Sequence, residues 1–467
     1  MTKTEIETDY LVIGSGAMGM AFADVILSES DKDIVIIDMH HKPGGHWNDA
    51  YSFVTLHQPS SYYGVSSKEL SKGRIDQTGL NEGLNDLATG PEIMSYFDEV
   101  MRHQFLPTGR VRYFPMSEYN WDGSFTSLLS GETTTVKVRE KTVDATYLKT
   151  QVPSTHKPNF EIADGLPFVP LNELPKLQRR HSGYMVVGGG KTGIDAVLWM
   201  LENGIPADDI HWVMPRDGWL MDRGNTQPTP DFFEATMGAQ AAQMEAVAQS
   251  TSVPDMFDRL EAAGVLLRID PDVRPKMFHG ATISQAELAE LRKVKNVIRM
   301  GRVQRIEKDK VVFDEGELAS DPDWLYVDCS ARAVGNMEPA PVFKGDHLKL
   351  QTVRTVQPVF SAAVIAYVDL NYDDEAEKNK LCTVVPLPNH DVDWVHMTAA
   401  FMTNQFNWSQ DKTLRAWIAN NRLDGYSNLA RNIGAQETDK RAIIQRLRDN
   451  SMPAMMKLQG YIAELST

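Results

Sequence analysis

At 467 residues the chain is longer than one ordinary hydrophobic core sustains, so two or three domains with sizeable cores are expected. Its formal net charge of −16 argues against a nucleic-acid or anionic-membrane surface and points to small-molecule partners. The polar, acid-bearing start Met1-Thr-Lys-Thr-Glu-Ile-Glu-Thr-Asp9 does not read as a secretory signal, and no apolar run reaches membrane-spanning length, which gives the expectation of a cytoplasmic protein.

The first predicted element is a buried parallel strand, Asp9-Tyr-Leu-Val-Ile13, followed by the turn Gly14-Ser15-Gly16-Ala17-Met18-Gly19 and a proline-free helix from Ala17 to about Ser28. Glycines at this spacing suit a tight turn, close backbone approach to a pyrophosphate, and close packing of helix on strand. A dinucleotide's phosphates would then meet the amides of the helix N-terminus. A second strand, Ile34-Val-Ile-Ile37, ends in Asp38, about 20 residues beyond the motif, where an acid accepts hydrogen bonds from the adenosine ribose.

Beyond Asp38 come Lys42-Pro-Gly-Gly-His-Trp47 and Leu56-His-Gln-Pro-Ser-Ser-Tyr-Tyr-Gly64. In the second of these, His57 and Gln58 are the candidate catalytic residues, able to hydrogen-bond a ring heteroatom or an oxygen adduct of the ring, and Tyr62 or Tyr63 could stack on a ring; a surface loop with a proline turn is the equal alternative. Further on, Arg110-Val-Arg-Tyr-Phe114 and Thr133-Thr-Thr-Val-Lys-Val138 read as antiparallel strands.

The first motif then recurs. Gly183-Tyr-Met-Val-Val187 is a strand, Gly188-Gly-Gly190-Lys191-Thr192-Gly193 the turn, Gly193 to about Asn203 the helix, and Ile210-His-Trp-Val213 the next strand. No acid closes that strand; it runs into Met214-Pro-Arg216, and an arginine there suits the 2′-phosphate of NADPH, a solvated surface arginine being the alternative. Lys191 either meets a phosphate or starts the helix in solvent. Trp212, Trp219 and Arg223 either clamp a nicotinamide or pack the lobe junction.

Residues 226 to 296 predict a helical insertion, with Ser284 and Glu287 as a capping box and Met and Ala side chains serving as core or as pocket lining. Helices are expected near Lys412 to Asn421, Asp439 to Asn450 and Pro453 to Leu465. Cys329 and Cys382 are the only cysteines and no CxxC occurs, which excludes a flavin-coupled dithiol and makes both core residues. No HExxH, GxSxG or P-loop is present.

The two turns, Asp38 and Gly44-Gly45-His46-Trp47 resemble the class B flavin-containing monooxygenase family. The resemblance implies an α/β fold with two Rossmann-like dinucleotide-binding domains, FAD on residues 1–165 and 331–467 and NADPH on 166–330. It further implies that Gly14, Ser15, Gly16, Ala17, Gly19 and Asp38 hold FAD, that Gly45, His46 and Trp47 border the flavin, and that Gly188, Gly190, Lys191, Thr192, Gly193 and Arg216 hold NADPH. The implied reaction is monooxygenation of a small organic substrate by dioxygen, carried as a flavin C4a-hydroperoxide. A single-component flavin halogenase and a flavin reductase or electron-transfer protein are the alternatives. Two departures mark a divergent member: the fingerprint FxGxxxHxxxW/Y is missing before the second turn, and Asp328-Cys-Ser-Ala331 fits the expected ATG-type segment only loosely.

Overall fold

A computed structural model describes residues 4–332, 337, 340–431 and 433–466; the first three residues of the polar N-terminal stretch lie outside them. The first lobe is built by β1 (Thr4–Ile13), α1 (Ala17–Glu29), β2 (Ile34–Ile37), α2 (Gly90–Val100), β3 (Val111–Phe114) and β4 (Thr133–Asp144). The strands pair in parallel in the order β4-β1-β2-β3. The expectation of antiparallel strands is therefore corrected at 111–114, which continues the parallel sheet. The strand at 133–144 is parallel to β1 and antiparallel only to Ser124–Ser127. The polar and charged side chains alternating along both strands mark one solvated face, a pattern that a parallel strand with one open face shares with a hairpin.

The second lobe repeats the unit with β5 (Tyr184–Val187), α3 (Lys191–Glu202) and β6 (Ile210–Val213). It then inserts β7 (Gly218–Asp222), α4 (Phe233–Gln249), α5 (Val253–Ala262) and β8 (Met277–Ile283) before closing on β9 (Leu325–Asp328). Its parallel sheet runs Phe168–Pro170, β9, β5, β6, Val297–Ile298. The insertion is not wholly helical: β8 pairs in parallel with β7 across a register shift, forming a three-stranded sheet with Leu266–Leu267. Gly280, at φ +70°, breaks the alternation that would have marked the strand. The capping box forms, Ser284 N–H donating to Glu287 at 2.6 Å and Glu287 N–H to Ser284 Oγ at 3.0 Å.

The chain then adds β10 (His347–Lys349) beside β4 and lays α6 (Pro358–Asn371) against α1. From Val359 to Asp369 every residue of α6 is buried, so the helix is covered on all sides rather than along one stripe. The last helices, α7 (Asp393–Gln410) and α8 (Thr438–Leu465), pack on the insertion: Trp394, Val395, Ala454 and Leu458 share a core with Trp219, Val247 and Phe257. Two helices were expected at 439–465; one runs through Pro453. Cys329 and Cys382 are free and buried, and Met237 and Met244 of α4 are core residues. Among the described residues, no helix is long and apolar enough to cross a membrane.

Candidate functional site

Both glycine turns have the same construction. Gly14 sits at φ +100° and Gly188 at φ +136°, a region that a side chain makes costly. A Cβ at Gly19 would stand 2.0 Å from the Gly14 carbonyl oxygen, and one at Gly193 would stand 2.0 Å from that of Gly188, so each third glycine is the contact of helix on turn. Helices α4, α6, α7 and α8 carry no side-chain cap, while five others begin on capping side chains, Thr89, Ser252, Ser284, Asp374 and Asp411. Helices α1 and α3 begin on Gly16 and Gly190, also with no side-chain cap. Their first amides are left open to an anion, as a phosphate site requires.

Around the first turn the predicted residues converge. Gly44 N–H donates to the Ser15 carbonyl at 2.9 Å, and a Cβ on Gly45 would lie 2.9 Å from Gly16 Cα, so the Gly44-Gly45 backbone crosses directly over the turn. Trp47 Nε1 donates to Tyr63 Oη at 2.7 Å, and His46 lies 5.1 Å from the Trp47 ring. Burial pulls the His46 pKa down to about 4, so it is neutral near pH 7.

Asp38 is buried and accepts four hydrogen bonds, from Ser15 N–H at 2.5 Å, Ser15 Oγ at 2.7 Å, His40 N–H at 2.8 Å and His40 Nδ1 at 2.9 Å. Burial alone would raise its pKa, but the bonds from His40 and Ser15 prevail and hold it below the ordinary value. His40 also reaches Asp49 through Nε2 at 2.8 Å. The bond to Asp38 outweighs burial and, with that to Asp49, lifts the His40 pKa to about 9. A raised folded-state pKa gives stability that is complete below the unfolded value near 6.5 and fades as pH rises through about 9. With part of the imidazole exposed, His40→Gln is expected to cost roughly 1–2 kcal/mol near neutral pH, and to cost progressively less as pH rises, as read by urea titrations.

At the second turn Lys191 pairs with Asp195, which also accepts from Tyr51 Oη at 2.6 Å. Tyr51 comes from the first lobe, so this carboxylate joins the two. Thr192 is half-buried at the start of α3. Arg216 donates to Asn389 Oδ1 at 2.9 Å. Burial, and to a lesser degree the charges of Arg302 and Arg332, lowers its pKa.

His57 stands where the lobes meet. Thr282 N–H donates to its Nδ1 at 3.2 Å, which leaves the ring proton on Nε2 as a donor. Burial, with Lys191 and Arg223 nearby, depresses its pKa to about 3. Gln58 is half-buried beside it. Tyr62 is buried and stacks on Tyr426 at 5.2 Å, and half-buried Tyr63 meets Trp47 and Phe97 edge-on. Trp212, Trp219 and Arg223 are fully buried and pack the junction: Trp212 Nε1 donates to the Gly188 carbonyl at 2.9 Å, and Arg223 pairs with Glu287 at 2.8 Å. A cavity of about 480 Å³ opens beside Trp47, lined also by Tyr51, Val54, Pro91 and Met94, within the range that holds small ligands.

Sequence reasoning missed three groups at this junction. Thr282 Oγ1, Thr355 Oγ1 and both amide atoms of Gln357 are buried without a hydrogen-bond partner among the described residues. Only their burial without partners marks them, since none belongs to a motif.

Two Rossmann-type units, each with an open glycine turn, make this a protein of the two-dinucleotide-fold class. The chain belongs to the family of the uncharacterized proteins Rv2000 of Mycobacterium tuberculosis and Mb2023 of Mycobacterium bovis. Each is 50% identical over 424 residues, covering 91% of this chain and 79% of the relative. Residues 12–58 match the NAD(P)-binding Rossmann-like domain family. Similar solved structures include an open form of cyclohexanone monooxygenase (13% identity, 86% of this chain and 97% of that one, TM-score 0.47). A flavin-containing monooxygenase from Stenotrophomonas maltophilia is another (13%, 79% and 99%, TM-score 0.44). A third is OTEMO in complex with FAD and NADP (14%, 78% and 83%, TM-score 0.45).

Proposed function

We propose that this chain is a flavin-dependent oxidoreductase that binds FAD on residues 1–165 and 331–467 and NADPH on 166–330, and uses dioxygen to oxygenate a small organic substrate. The observation that carries the reading is the pair of uncapped glycine turns of one geometry, joined across the lobes through Tyr51 and Asp195. The cradle suits FAD: Gly14, Gly16 and Gly19 keep the turn free of side chains, Ser15 and Ala17 would add their backbone amides, and Asp38 follows the second strand. Gly45, His46 and Trp47 would border the ring. Gly188, Gly190, Lys191, Thr192 and Gly193 would hold the second pyrophosphate.

When bound, the flavin supplies hydride acceptance from the nicotinamide and electron delivery to dioxygen. The chain's own groups orient and shield. His57 offers a fixed Nε2–H donor and holds no exchangeable charge near neutrality, so its role would be to donate a hydrogen bond rather than to shuttle protons. The tie from Trp47 to Tyr63 closes one wall against water. Arg216, which feels the charges of Arg302 and Arg332, would meet the 2′-phosphate. Arg216→Ala is expected to cut the preference for NADPH over NADH by about ten- to a hundredfold, measured by titrating each nucleotide.

The test of the reaction is isotope-labelled dioxygen supplied with FAD, NADPH and a panel of amines, sulfides and ketones. Label in an organic product supports oxygen transfer. Halide-dependent chlorination or bromination of an aromatic would make the protein a halogenase, and NADPH oxidation that yields only hydrogen peroxide, whatever substrate is added, would make it a reductase.

A further inference from the structure

The segment before α6 is held with unusual firmness for a loop. Ser361 Oγ accepts from the N–H groups of Val353 and Arg354, both at 3.1 Å, and donates to the Gln357 carbonyl at 2.8 Å. Arg354 Nη1 reaches Asp424 at 2.6 Å in a buried pair, and its guanidinium lies 4.5 Å from the Phe360 ring and 5.2 Å from that of Tyr426. Val356 takes φ +49°, a conformation that a β-branched residue adopts only under constraint. A Cβ at Gly280 would lie 2.5 Å from Val356 Cγ1, so strand β8 of the insertion leaves room for this strained residue.

All of this fixes Gln357, which is 4% exposed and has neither its amide nitrogen nor its amide oxygen paired among the described residues. The neighbouring Thr355 hydroxyl is in the same state. Burying a carboxamide unpaired is costly, and a rigid shell that keeps it so presents a donor and an acceptor side by side to something that completes them. Gln357 is also the N-cap residue of α6, which begins at Pro358 and has no side-chain cap.

The direction of α6 places this group. Tyr10 Oη donates to Asp369 near the end of α6 at 2.9 Å. Tyr367 stacks on Trp417 at 4.4 Å, and Trp417 Nε1 donates to Glu29, the last residue of α1, at 3.0 Å. The two helices run the same way, so α6 begins at the end of the layer where the first glycine turn opens. On the far side β8 offers the unpaired Thr282 hydroxyl and, through the Thr282 amide, the orientation of His57.

We propose that Gln357 reads the pyrimidine edge of the flavin, its amide matching the ring's adjacent carbonyl and N–H, with the α6 N-terminus favouring negative charge there. This rests on FAD as the first-lobe cofactor. Gln357→Leu removes both polar atoms at little change of volume. FAD titrated into the apoprotein should bind the variant about ten- to a hundredfold more weakly. ADP-ribose and NADP⁺ should bind both proteins alike, and the melting temperature of the apoprotein should hold or rise, because a buried unpaired amide has gone. Equal FAD affinity in both proteins overturns the assignment. So does a parallel loss of ADP-ribose binding or of thermal stability, which marks a structural role, or a loss confined to NADP⁺, which moves the contact to the nicotinamide. Failure of the wild-type protein to bind FAD overturns the cofactor reading itself, and this proposal with it.

Discussion

Gly190→Ala is expected to melt like the wild-type protein, retain FAD and lose NADPH affinity by about ten- to a hundredfold. Gly190 has φ −85°, which alanine adopts freely, and a Cβ there meets nothing within 4 Å. The fold therefore has no use for a glycine at this position. The only body a methyl group would displace is one lying on the α3 amides, where a pyrophosphate would rest. Gly193 differs, because a Cβ would meet the Gly188 carbonyl oxygen at 2.0 Å, and Gly193→Ala should disturb the turn with or without nucleotide. Thermal melts beside NADPH titrations separate the two kinds of glycine. Unchanged affinity in Gly190→Ala would remove the nucleotide from this turn.

The largest loss of stability is expected from Arg223→Leu, about 3–5 kcal/mol by urea denaturation without ligands. Arg223 is 1% exposed and donates to the His57 carbonyl at 3.1 Å, Asn81 Oδ1 at 3.1 Å and Glu287 at 2.8 Å. Removing the guanidinium strands a largely buried carboxylate and frees three segments that meet at the lobe junction. Adding Glu287→Leu should recover part of the loss, since a pair removed whole leaves no unpaired charge. A cost below about 1 kcal/mol for the single variant would show that the junction tolerates an unpaired Glu287.

Those two sites differ in how far they could be read from the chain. The glycine turns were legible because their chemistry is local: strand, turn and helix lie within one stretch of sequence, and the glycine spacing reports backbone contact directly. The convergence of Ser15, Asp38 and Gly44-Gly45 followed from the same stretch. Arg223 was ambiguous, since a buried structural arginine and a ligand-binding one look alike until Glu287 is seen beside it. The parallel pairing of 111–114 was hidden because its partner lies far away in sequence, and β8 was hidden because Gly280 interrupts it. Gln357 carried no signal at all: an unpaired amide is defined by what fails to approach it in three dimensions, and spacing cannot encode that.

The most direct test of the two-cofactor account is anaerobic mixing of the FAD-loaded protein with NADPH, followed by admission of oxygen, with flavin absorbance recorded throughout. Bound flavin should be bleached by NADPH, faster than by NADH, and a flavin species distinct from the oxidised and reduced forms should persist before the oxidised spectrum returns. A protein that retains no FAD, or whose bound flavin NADPH leaves oxidised, would contradict that account.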